Sequence, residues 1–150
     1  MDVKPLLFDS YLAVIRNAPG TRMFRNFYAS VDGVRTDIMM GGELSCAMFA
    51  SSVLMLFRLI KEPHATVDST VKDMLDSGWV TLTEPREGCV LVWAPSDLGG
   101  SEPHPHIGFF MGADRVISNS TTQGMPAEHD WTYDGSRKPV AMYWHARLGE

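Results

Sequence analysis

Apolar residues recur at helical spacing at Leu7, Tyr11, Val14 and Ile15, and Pro19-Gly20 ends the run. The pattern predicts an amphipathic helix over residues 5 to 18. "MFRNFYASVDGVRTDIMM" has strand-like composition on both sides of Asp32-Gly33, a hairpin-turn dipeptide, and predicts a short hairpin. After Gly41-Gly42, "ELSCAMFASSVLMLFRLIK" sets Leu44, Ala47, Met48, Ala50, Val53, Leu54, Phe57 and Ile60 almost all round a helix. So little polar face predicts a buried helix. "HATVDSTVKDMLDSGW" then offers Thr66 as N-cap, apolar Val67, Val71, Met74 and Leu75, and Gly78 as stop. The remainder turns to β character in "GCVLVW", "HIGFFMG", "RVISNS" and "PVAMYWHA", separated by Pro, Gly and Asp-rich connections. Helices lead and strands follow, the order of an α+β fold.

Composition narrows the class. A chain of 150 residues, 45% hydrophobic and 21% charged, is expected to fold as one domain spanning 1–150. Its formal net charge of −5 argues against nucleic acid as a partner, because that affinity rests on Lys and Arg neutralising phosphates. No stretch reaches the about 18 apolar residues of a membrane span, so no membrane partner is expected. "MDVKPLLFDSYLAVIRNAPG" lacks a basic n-region and is broken by Asp9, which predicts a cytoplasmic protein; a substrate outside the cell would require release by another route.

Two cysteines, Cys46 and Cys89, are too few for a disulfide framework and lack metal-type spacing. Cys46 falls in the first turn of the buried helix, where free backbone N–H groups favour a thiolate; its pKa is expected below the usual roughly 8.5. The same amides suit the oxyanion of a tetrahedral intermediate. Cys89, inside "GCVLVW", is expected to pack in the core, with a redox partnership to Cys46 as the alternative.

A cysteine nucleophile needs a base, and the base needs a polar group to hold it. His106 opens an apolar strand, and the return strand after "MGAD" brings Ser118, Asn119 and Ser120 back towards it. His104 and His106, two positions apart, also permit a metal reading with His129. Pro103 and Pro105 remove backbone donors around His104 and predict that the strand starts after it. "AEHDWTYDG" is expected to be a turn or substrate-side loop in which His129, Trp131 and Tyr133 supply stacking and polar contacts.

The order of helix-start Cys46, then "EPREGCVLVW", then "HIGFFMGADRVISNS" resembles the NlpC-like branch of the papain-like cysteine peptidases and amidases, with CHAP-like relatives. The resemblance covers residues 41 to 120. It implies a papain-like α+β domain whose Cys46 helix packs on an antiparallel sheet built largely from residues 88 to 146. It further implies a hydrolase of peptide or amide bonds, with bacterial cell-wall peptide (peptidoglycan) the leading substrate, and no cofactor. Cys46 would be the nucleophile and His106 the base. The family's third polar residue falls at Ser118 or Asn119, with Ser120 adjacent. Asn119 is preferred because its carbonyl is a fixed acceptor for a ring N–H. Apart from the resemblance, the positions of His104 and Ser45 beside His106 and Cys46, and the stacking and polar groups of His129 and Trp131, make those four the expected substrate contacts. The family's usual "D-C-S-G" is replaced here by Ser45-Cys46-Ala47-Met48, and Cys89 stands where the family has Asp. The altered cysteine context keeps an inactive binding domain on the same scaffold open as an alternative, and the His104 and His106 pair keeps open a metal-dependent hydrolase built on those two residues.

Overall fold

A computed structural model describes residues 1–96 and 103–150, three helices and eight strands among them. Helix α1 (Leu7–Arg16) leads into a hairpin of β1 (Tyr28–Val31) and β2 (Val34–Asp37). Asp32 (φ 50°) and Gly33 (φ 82°) are both left-handed, the conformation a two-residue hairpin loop demands. Helix α2 (Cys46–Leu56) is the central element, with Cys46, Ala47, Phe49, Ala50, Val53 and Leu54 all buried. Helix α3 (Val67–Asp76) is capped as predicted, the Thr66 hydroxyl accepting from the Ser69 amide at 3.2 Å. None of the described helices is long and apolar enough to cross a membrane.

The strands form a six-stranded antiparallel sheet in the order β3-β8-β4-β5-β6-β7, from β3 (Val80–Thr81), β4 (Val90–Ser96), β5 (His104–Phe110), β6 (Arg115–Ser120), β7 (Met125–Asp130) and β8 (Pro139–Trp144). The fold is therefore mixed α+β with helices packed on an antiparallel sheet. Two expectations need correction. β5 starts at His104 rather than after it, because an irregularity in β4 between Trp93 and Ser96 lets Ser96 pair with His104 despite the prolines. "AEHD" is strand, not loop: Ala127 to Asp130 belong to β7, paired with β6.

Alternation along β5 divides the core. Phe109 meets Phe49 of α2 at 5.5 Å and Tyr11 of α1 at 5.9 Å, so that side of the strand is covered by helices. Tyr11 is anchored there by donating to the Gly88 carbonyl at 2.7 Å. His106 and Gly108 alternate with these residues and look towards Trp93 and the residues of β6 and β7. Cys89 is fully buried and, like Cys46, a free thiol, as its core reading required.

Candidate functional site

The site begins with how Cys46 is delivered. Between β2 and α2 the chain makes a tight 3₁₀ turn, Met40–Gly42, in which Gly41 and Gly42 have φ of 66° and 98°. Gly42 is packed so closely on the Gly124 backbone that a Cβ there would stand 2.7 Å from the Gly124 Cα. Asp37 gathers the turn by accepting from the amides of Phe27, Met39 and Gly41 and from the Asn26 side chain. The Asn26 bond leads the interactions that hold this carboxyl down at about 2. From β6, Asn119 donates its side-chain amide to the Gly42 carbonyl at 2.7 Å. Ser45 then precedes α2, fully buried, with a hydroxyl that has no partner.

Cys46 is the first residue of α2 and is 4% exposed. Its sulfur lies against the backbone N–H of Ile107, the residue after His106. Pairing between β5 and β6 runs from Gly108↔Ser118 to Phe110↔Val116, so β5 is unpaired on the β6 side where the thiol arrives. Burial pushes the thiol up to about 11, and the amides of Ile107 and the helix terminus offset only part of that. The expected lowered pKa is thus reversed: desolvation of a thiolate outweighs the helix terminus. Burial also holds Cys89 at about 11.

His106 is 5% exposed, and burial, followed by the nearby Arg137 charge, lowers it to about 3. The ring is neutral. Its Nε2 lies 2.9 Å from the Ser118 hydroxyl, which in turn lies 2.6 Å from Nε2 of His129. His129 Nδ1 is 2.7 Å from its neighbour's carbonyl, Asp130 O. Asn119, the expected holder of the imidazole, bonds the Gly42 carbonyl instead; adjacent strand residues point to opposite faces, and Ser118 is on the face of His106. No hydrogen bond joins the Cys46 thiol to the His106 ring.

Around the ring stand Trp93 at 5.3 Å and Tyr133 at 6.2 Å, and the His129 ring stacks on Tyr133 at 4.2 Å. Tyr133 and Arg137 link the two halves electrostatically. The Tyr133 phenol is raised mainly by burial and also by Cys46, and Arg137 acts on both the thiol and the His106 ring. Arg137 donates to the Ala94 carbonyl at 2.6 Å while its buried Nε has no partner. No sequence pattern marks Arg137, since its role depends on β8 pairing with β4. Trp131, expected at the substrate side, packs its ring on Phe110 at 5.9 Å.

Two cavities flank this cluster. One of about 410 Å³ is lined by His106, Ser118, Asn119, His129, Tyr133 and Arg137 among others. The other, about 270 Å³, is lined by Leu44, Cys46, Ala47, Thr66, His104 and Pro105 among others. His104 and His106 thus open on different cavities. Among the described residues, no group of three or more His, Cys, Asp or Glu side chains is disposed to hold a metal ion.

No family model matches the chain, and no curated protein matches it.

Proposed function

We propose that the chain is a cysteine-dependent hydrolase of peptide or amide bonds on a papain-like, NlpC-like scaffold, with Cys46 as nucleophile and His106 as base. The observation that carries the reading is the meeting of the Cys46 thiol, at the first turn of the buried α2, with the peptide N–H next to His106, a neutral ring backed by Ser118. Catalytic hydrogen bonds are often long in substrate-free sites and tighten when substrate binds.

With the thiol at about 11 and the imidazole at about 3, the resting pair is thiol and neutral ring. The ring takes the thiol proton as the S–C bond forms on the amide carbonyl. It returns that proton to the departing amine nitrogen as the C–N bond breaks. Water then attacks the thioester, passing a proton through the ring to the sulfur and releasing the acid. The backbone N–H of Cys46 suits the developing oxyanion. Cell-wall peptide is the leading substrate class, by resemblance.

The test is incubation with soluble peptidoglycan fragments and simple dipeptide amides, followed by mass spectrometry of products and of intact protein. Products, with an acyl adduct on Cys46, are expected from wild type and not from Cys46→Ala. Hydrolysis that survives in Cys46→Ala overturns the reading. That no hydrogen bond joins the Cys46 thiol to the His106 ring favours a second reading, a binding domain without turnover. It predicts that Cys46→Ser binds the same fragments as wild type and that wild type forms no adduct.

A further inference from the structure

Four groups stand in sequence across β5, β6 and β7: the His106 ring, the Ser118 hydroxyl, the His129 ring and the Asp130 carbonyl, at 2.9, 2.6 and 2.7 Å. The last member decides the direction of every proton. A carbonyl oxygen only accepts, so His129 Nδ1 must carry its hydrogen. Burial lowers His129 below the ordinary 6.5, which favours the neutral ring near neutral pH, and with Nδ1 protonated a neutral ring has a bare Nε2 that accepts. The group facing that nitrogen is the Ser118 hydroxyl, whose single hydrogen is therefore spent on His129. Ser118 can then only accept from His106, and His106 Nε2 must carry the hydrogen. In a neutral imidazole this leaves Nδ1 bare.

We propose that Ser118 and His129 form a one-way hydrogen-bond chain that fixes His106 as the Nε2–H tautomer, with Nδ1 as its basic nitrogen, and that His129 is a positioning residue for it. The catalytic consequence rests on the hydrolase reading above; the tautomer does not.

Packing supports the assignment at each link. His129 is held against rotation by its stack on Tyr133 at 4.2 Å and 22°. Gly108 pairs with Ser118, and a Cβ at Gly108 would come within 2.7 Å of the Ser118 Cβ. A glycine at this point of "HIGFF" keeps the hydroxyl on the His106 side unobstructed. The Tyr133 phenol also stands close to Ser118, whose second lone pair remains for it. A hydroxyl and a second imidazole thus do what a single amide does when it orients a base directly.

Two-bond proton–nitrogen correlation spectra of the full chain labelled with ¹⁵N-histidine, near neutral pH, test this. Signals are assigned by their loss in His106→Gln and His129→Gln. The expected pattern is a protonated Nε2 and bare Nδ1 at His106, with the reverse at His129. In His129→Phe the stack is kept but the acceptor is lost, Ser118 is free to donate to His106, and the Nδ1–H form of His106 is expected to appear. His129→Gln restores an acceptor and is expected to keep the wild-type His106 pattern. A Nδ1–H tautomer or a charged ring at His106 in wild type overturns the proposal, as does a His106 pattern unchanged in folded His129→Phe. The wild-type spectrum decides even if a variant does not fold. Absence of any turnover would count against the hydrolase reading alone. With turnover, His129→Phe is expected to lower kcat by up to about 100-fold at similar KM, within what a positioned general base contributes, with recovery in His129→Gln.

Discussion

Asn119 and Gly42 are joined across 77 positions of sequence by a 2.7 Å hydrogen bond that ties β6 to the turn delivering Cys46. Asn119 is 3% exposed and its Oδ1 has no partner, so its contribution is this one donated bond. Asn119→Ala is expected to cost about 1–3 kcal/mol, because the Gly42 carbonyl loses a buried donor. Denaturant midpoints measure the loss. The alkylation rate of Cys46 in the folded variant should rise as the turn loosens.

Thiol reactivity should follow burial. Iodoacetamide labelling of the folded chain, mapped by mass, is expected to stay slow at neutral pH and to rise for Cys46 towards half-ionisation at about 11. The same thiol in denatured chain should titrate near the usual roughly 8.5. Labelling of folded Cys46 with a midpoint below the denatured one would mean that the helix terminus outweighs desolvation.

Acid should weaken the fold through His106. Its folded pKa of about 3 lies below the ordinary 6.5, so between those values the unfolded chain takes up a proton that the folded ring refuses. Stability is therefore lost as pH falls through that window, by up to about 1.4 kcal/mol per pH unit from this group. Denaturation of wild type and His106→Gln compared across the window should give a shallower slope for the variant. Asp73 acts lower. Burial alone would raise its carboxyl, but the His64 ring and the amides of Lys61 and Glu62 hold it at about 2, so its contribution is lost only below the ordinary 3.8.

Gly108→Ala is expected to be destabilising by about 1–3 kcal/mol, since the new methyl meets the Ser118 Cβ inside a packed sheet. The same variant should spread the His106 Nε2–Ser118 contact, read as a shift of the His106 ring nitrogens in ¹⁵N spectra. A thermal midpoint equal to wild type would show that the strands can part there without cost.

Much of the frame was legible because local signals and tertiary environment agree. Pro19-Gly20 closes α1, Asp32-Gly33 supplies two left-handed residues, and Thr66 caps α3. The apolar run after Gly42 marks α2, with Cys46 at its start. The choice between Ser118 and Asn119 was not legible. A shift of one residue in a strand reverses the face, and the register here is set by the turn after β5, where Ala113 and Asp114 both take left-handed φ. β7 was hidden because Pro126 and the charged Glu128 and Asp130 look like loop, and pairing with β6 overrides that composition. The ionisation of Cys46 was misjudged because the pattern shows that the helix is buried but not how far desolvation of a thiolate at its first residue outweighs the helix terminus.

Cys46 opens on the cavity beside His104, and His106 on the one beside His129 and Tyr133. A molecule small enough to settle in either chamber meets one member of the pair and leaves the other untouched. Occupancy of one chamber is therefore not turnover: a ligand held beside His129 and Tyr133 alone leaves the thiol untouched, and a substrate, however short, has to present its amide carbonyl to thiol and imidazole together.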